Sequence, residues 1–210
     1  MKNLGQRNVR STPMGDCRKC RELEDENAAL KAKLKNALRR ADRDELTGLL
    51  RRGLMATLKR RIKRTSLNGG RSNSVGFIMI DINDMGDLNT AHGHPTIDKV
   101  VARLGGLIKR HIRQNDRAFR MTGDEYFTIV DCSEEAVRLL TARLARSVKR
   151  LRVYDASDRH VKVGVSIGAS FQTGRGLDAK RLYEFTDVLL YRAKTRKATE
   201  RCPIEIKAAA

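Results

Sequence analysis

The chain has 210 residues, enough for one domain of ordinary size and a short appendage, since domains run to about 100–200 residues. With 40% hydrophobic and 33% charged residues it can bury a core, and no uncharged apolar run reaches the ~18 residues of a membrane helix, so membrane spanning and wholesale disorder are excluded. The 44 Lys and Arg against 25 Asp and Glu give +19, most of it beyond residue 45, a field that gathers polyanions; with only nine aromatics the chain is poorly furnished for base stacking, so nucleic acid is an unlikely partner.

Residues 1–20 carry Lys2, Arg7, Arg10, Asp16, Arg18 and Lys19 with no apolar stretch between them, so they read as a flexible lead-in without a signal peptide, and a cytoplasmic location is expected. Cys17-Arg-Lys-Cys20 has the spacing of a metal-binding pair, but a structural zinc needs four ligands; either a dimer supplies two such pairs or these are surface thiols. Over residues 21–43 the series Leu23, Asn27, Leu30, Leu34, Ala37, Ala41 advances by alternating fours and threes, the seam of a short coiled-coil helix. Asn27 at an a position favours a parallel homodimer. Fewer than three heptads leave an amphipathic helix packed on its own domain as the alternative.

The folded part spans residues 44–198. The spacing predicts a helix over Leu46–Arg64, a buried strand over Val75–Asp81 and a long core helix over Pro95–Arg113. Strands at Ala118–Met121 and Tyr126–Val130 flank Thr122-Gly-Asp-Glu125, a hairpin with Gly at its tip. A helix over Glu134–Leu151, a strand over Val161–Phe171 and a helix over Asp178–Lys197 follow, and residues 199–210 read as a disordered tail. Strands alternating with helices around one hairpin predict an α/β (α+β) sheet with helices on one face.

Two acidic features stand at strand ends, Asp81 and Asp124-Glu125. If those strands are neighbours, three carboxylates converge, and a hard divalent cation, magnesium, is the simplest compensation for their repulsion. Asp81-Ile-Asn83-Asp84-Met85-Gly86 also resembles the start of a calcium loop, but Met85 and His92 occupy positions that need oxygen ligands, which excludes calcium.

Taken together the motifs resemble the GGDEF domain family, the diguanylate cyclases that condense two GTP molecules into cyclic di-GMP. Asp44-Glu-Leu-Thr-Gly-Leu-Leu-Arg-Arg is similar to the family's opening Asp-x-Leu-Thr-Gly-Leu-x-Asn-Arg-Arg. Asp81-Ile-Asn-Asp runs on to Asn89, Gly93-His94 and Asp98 at the family's spacing, and Arg120-Met-Thr-Gly-Asp-Glu-Tyr126 stands where the signature Arg-x-Gly-Gly-Asp/Glu-Glu-Phe belongs. Ser166-Ile-Gly168 and Leu190-Tyr-Arg-Ala-Lys194 complete the series. The resemblance implies a palm-like nucleotidyl-cyclase sheet with surrounding helices. It further implies Mg2+ (or Mn2+) held by Asp81, the Ile82 carbonyl and Asp124, and a base drawn from Asp124 or Glu125. Asn89, His94, Asp98 and Lys194 would bind GTP, and Arg113 and Asp116, an Arg-x-x-Asp pair, would form an inhibitory site for cyclic di-GMP.

Three departures bear on turnover. Thr122 replaces the first signature Gly, Met85-Gly86 stands in place of Phe-Lys, and Arg196-Lys197-Ala198-Thr199 stands where the family has Gly-Arg-Asn after the last helix's lysine; Arg192, Arg196 and Lys197 are the nearby cations. The leading reading is a magnesium-dependent, dimeric diguanylate cyclase. A degenerate domain that senses cyclic di-GMP or GTP is the alternative, and a basic nucleic-acid adaptor is the third.

Overall fold

The computed structural model describes residues 18–67, 74–131, 133–173, 178–197 and 199–209. The chain divides into two units, Met1–Ala41 and Asp42–Ala210. In the first, helix α1 (Arg18–Ala41) runs for 24 residues, with Leu23, Leu30, Leu34 and Leu38 exposed along it. Most of the lead-in, with Cys17, lies outside the described residues; Cys20 is a half-buried free thiol.

The second unit opens on turns where the periodicity predicts a helix from Leu46. The Asp44 carboxylate accepts from Thr47 N at 2.9 Å and Thr47 Oγ1 at 2.6 Å, a local arrangement that competes with helical bonding. Gly53 then stands at φ 83°, a conformation that suits glycine, and helix α2 (Leu54–Leu67) begins only after it.

Strand β1 (Ser74–Ile82) is buried along its whole length at the centre of a five-stranded sheet. With β2 (Arg117–Arg120), β3 (Glu125–Asp131), β4 (Val165–Thr173) and β5 (Ile204–Ala208), the spatial order is β2-β3-β1-β4-β5. All pairs are antiparallel except β4–β5. Side chains alternate across β1 with period two. Val75, Phe77 and Met79 pack in a cluster with Leu58 of α2 and Leu182 of α6 (Ala179–Thr195), while Ile78, Ile80 and Ile82 pack with Val100 and Leu104 of α4 (His94–His111) and Val137 and Leu144 of α5 (Glu134–Lys149). Helices therefore cover both faces, not one, because both pleats of β1 are apolar and each must be buried. Helix α6 approaches β4 closely at Gly168, where a Cβ would fall 2.4 Å from Leu190 N.

Three further elements differ from the sequence expectation. A short helix, α3 (Met85–His92), follows β1 where none is predicted. Val161 and Val163 are buried but precede the ladder; Val161 N donates to Val153 O at 2.8 Å, and β4 starts at Val165. The tail expected to be disordered over 199–210 forms β5 instead. It covers the edge of β4, whose N–H and C=O groups would otherwise lack partners: Val165 N donates to Arg201 O at 3.2 Å and Ile167 N to Pro203 O at 3.0 Å. Arg196 fastens the tail from α6, reaching Ile204 O at 2.8 Å and Glu205 at 3.2 Å. Among the described residues no helix is long and apolar enough to cross a membrane.

Candidate active site

The β1–β3 register places Asp81 directly opposite Glu125, and Ile82 N donates to Asp124 O at 3.2 Å. The sheet thus brings Asp81, Ile82, Asp124 and Glu125 together where β1 ends and β3 begins. The Asp81 side chain is buried and accepts from Lys194 Nζ of α6 at 2.7 Å. Burial raises its pKa above the usual carboxylate value, Lys194 works against that rise, and the charges of Asp124 and Glu125 add to it. Among the described residues no three or more His, Cys, Asp or Glu side chains form a preassembled metal cluster, so two carboxylates with the Ile82 carbonyl remain the candidate donor set. All are hard oxygen donors, and the residual repulsion on buried Asp81 is what a divalent cation would relieve.

The hairpin is held from outside. Arg120 donates to Gly123 O through Nε at 2.9 Å and Nη2 at 2.7 Å, and its Nη1 reaches Asp44 Oδ2 at 3.1 Å. Burial works against the Asp44 charge, but hydrogen bonds from Thr47 and the Arg120 guanidinium hold its pKa below the usual range. The opening Asp-x-Leu-Thr motif thus braces the signature hairpin. Thr122, at the position of the first signature Gly, is exposed and has no left-handed φ; that conformation falls on Gly123, at φ 35°. Its Oγ1 donates to Glu125 Oε2 at 3.3 Å, which ties one of the two candidate bases to the turn.

Asn89 lies on α3, with Gly93 at φ 79° forming the joint to α4, whose first turns carry His94 and Asp98. His94 and Asp98 are exposed, and Asn89 Oδ1 is buried with no hydrogen-bond partner, an acceptor left for a ligand donor. Lys197, just past the end of α6, pairs with Asp84, which precedes α3, so a second lysine from that end of the chain reaches the β1–α3 turn. Of the other cations named from sequence, Arg196 is committed to the tail and Arg192 is exposed.

Arg113 and Asp116 form a tight turn away from this end. Arg113 N donates to Asp116 Oδ2 at 2.8 Å, and both residues line a cavity of about 130 Å³ with His111 and Arg143.

A family model described as "Diguanylate cyclase, GGDEF domain" matches residues 41–200, three quarters of the chain. The chain belongs to the GGDEF family. Diguanylate cyclase DgcS of Shewanella oneidensis is 34% identical over 152 residues, which cover 72% of this chain and 49% of DgcS. Diguanylate cyclase DosC of Escherichia coli K12 is 30% identical over 155 residues, 73% of this chain and 33% of DosC. The chain thus spans half or less of the length of these relatives. Among solved structures, the coiled coil and GGDEF domain of Caulobacter crescentus DgcB in complex with c-di-GMP superposes with a TM-score of 0.76 at 20% identity, covering 91% of this chain and 97% of that one, a likeness of fold.

Two features of this GGDEF domain escape sequence reasoning. Arg143 joins Arg113 and Asp116 from α5, where Arg138 and Arg146 are further arginines and nothing singles it out. A second, open cavity of about 750 Å³ lies on the α2–α6 side, with Met55, Met121, Phe127 and Tyr183 in its wall and Thr122 and Glu125 at the signature turn. Burial raises the Tyr183 pKa, with Glu125 and Asp187 adding to the rise.

Proposed function

We propose that this GGDEF domain is a diguanylate cyclase that condenses two GTP molecules into cyclic di-GMP and releases pyrophosphate. The observation that carries the reading is the register of β1 on β3, which sets Asp81 against the Asp124-Glu125 turn with Lys194 in reach. Asp81, Asp124 and the Ile82 carbonyl would hold Mg2+ or Mn2+, which when bound neutralises charge on the triphosphate. Lys194 would pass from Asp81 to a phosphate oxygen. Asn89 Oδ1 and the Asp98 carboxylate would accept from guanine N–H groups that adenine lacks, with His94 at the same helix joint.

Each 3′-oxygen attacks the α-phosphorus of the other nucleotide; that P–O bond forms as the α–β bond breaks, and the hydroxyl proton passes to a carboxylate. That carboxylate would be Asp124 or Glu125, the latter engaged by Thr122 across the turn. Two domains must meet for this chemistry, and the leucine seam of α1 is the surface that would pair two chains. Cyclic di-GMP would return to the Arg113–Asp116–Arg143 cavity as an inhibitor, since guanidinium groups suit both phosphate and the guanine edge.

Chromatography of GTP incubated with magnesium and nucleotide-free protein tests the reading. Wild type is expected to make cyclic di-GMP and Asp124→Ala none; a silent wild type at high protein concentration refutes it. The second reading, a cyclic di-GMP sensor without turnover, is favoured by Gly86 and Ala198 standing where the family pattern has cations. It predicts cyclic di-GMP binding that is lost in Arg113→Ala.

A further inference from the structure

Helix α3 has eight residues and none of them is fully buried; Met85 and Leu88 alone lean on the core. A helix this short does not hold itself in water. Its start has no side-chain cap, and Asp84 stands there at φ 53°. Its placement must come from tethers, and the stronger one is at its C-terminal end.

That tether is built on Asp155, whose side chain is 2% exposed. Its Oδ1 accepts from Ser157 N and Arg159 N, both at 2.9 Å, so the carboxylate is fixed by its own loop before α3 is considered. Its Oδ2 accepts from Arg159 Nε at 2.9 Å and pairs with His92 Nδ1, on the last residue of α3, at 2.8 Å. Arg159 also donates through Nη2 to Ala91 O at 3.1 Å, satisfying a carbonyl in the last turn. The loop closes on itself through Asp155 N to Arg159 O at 3.0 Å and is flanked by buried Val153 and Val161, so it is a firm anchor. The His92 bond, followed by the bonds from the loop, holds the Asp155 pKa well below the usual carboxylate range, which keeps the anchor charged.

Asn89 lies three residues before His92, on the same side of the helix. Fixing His92 fixes the rotation of α3 about its axis, and with it the direction of the unpartnered Asn89 Oδ1. A rotation of about 20° would move an atom about 5 Å from the axis by about 1.7 Å, more than the tolerance of a hydrogen bond.

We infer that the His92–Asp155–Arg159 latch positions Asn89 and thereby sets how strictly the site selects guanine over related purines. The inference rests on the proposed reading of the site as a GTP site. These three are positioning residues, since none of them needs to touch the nucleotide.

The test is competition of GTP and ITP, whose base lacks the exocyclic amine, against a fluorescent non-hydrolysable GTP analogue on the full chain. Wild type is expected to prefer GTP. His92→Leu should narrow that preference about tenfold through weaker GTP binding, the worth of one displaced hydrogen bond. His92→Asn, whose amide nitrogen can stand where Nδ1 does, should restore most of it, and Arg159→Gln should narrow it about threefold. Equal affinity of wild type for GTP and ITP overturns the guanine reading and the latch with it. A wild type that discriminates beside a folded His92→Leu that discriminates equally overturns the latch alone. If His92→Leu does not fold, Arg159→Gln decides, because that side chain is largely exposed and its loss leaves the core intact; unchanged discrimination there overturns the latch.

Discussion

Gly168→Ala is expected to lift helix α6 off the sheet. The added methyl would fall 2.4 Å from Leu190 N, 2.7 Å from Leu190 Cα and 2.7 Å from Thr186 O. All three are backbone atoms of α6, so no rotamer change can clear them. Restoring ordinary contact at 3.4 Å requires a helix displacement of about 1 Å. Leu182, Leu189, Leu190 and Ala193 are buried beneath α6 and would lose packing together, and Lys194 would leave its 2.7 Å contact with Asp81. Overpacking costs typically about 1–3 kcal/mol, and a clash limited by backbone belongs at the upper end, about 3 kcal/mol. For a domain of this size that is a fall in midpoint of about 6–12 °C. Thermal unfolding followed by circular dichroism, with urea titration to obtain the free energy, measures it. A loss below about 1 kcal/mol would show that α6 has slack over Gly168 and refute the close-approach argument.

Gly86→Ala is the matched contrast: the site is helical, with nothing within 4 Å of the added Cβ, so unfolding should show a gain of about 0.5–1 kcal/mol. Asp44→Asn should cost about 1.5–3 kcal/mol at neutral pH, because it weakens bonds from Thr47 and Arg120 to a buried carboxylate. The folded-state pKa of Asp44 lies below 3.8, so this contribution is present above that pH and lost as pH falls through the folded value; urea midpoints of wild type and variant should converge in that acid range. Burial raises the Cys202 thiol pKa, and Cys202 is 4% exposed, so iodoacetamide mapping by mass spectrometry should label Cys20 in the native protein and Cys202 only after unfolding. Equal labelling rates would refute the docking of the C-terminal strand.

The hairpin and the carboxylates beside it were legible because their signals are local and strong. Gly123 supplies the turn between the apolar runs of β2 and β3, and the apolar run of β1 ends on Asp81; the β1–β3 pairing that sets Asp81 against Glu125 is seen only in the structure. Helix α3 was not legible, since eight residues with no buried position leave no periodic stripe. The start of α2 was misplaced because Leu46 and Leu49 fit a helical spacing, while the Asp44–Thr47 bonds decide the local backbone. Strand β5 was missed because Ile204 and Ile206 alternate over only five residues beside charged neighbours, and their burial depends on the distant edge of β4. The candidate metal and base residues could be named from motif order alone. The His92–Asp155 contact could not, because it joins residues 63 positions apart with no pattern to link them.

Strand β1 has a neighbour on each side and helices over both faces, so its opening requires the whole domain to come apart. Helix α3 can fray at the cost of its two end tethers. On the proposed reading, phosphoryl transfer would be carried by the most enclosed strand of the fold and the reading of the base by a short, lightly tethered helix. If that reading holds, substitutions on α3 should retune nucleobase preference at little cost to the fold, whereas substitutions that move the acidic end of β1 should destabilise the domain itself.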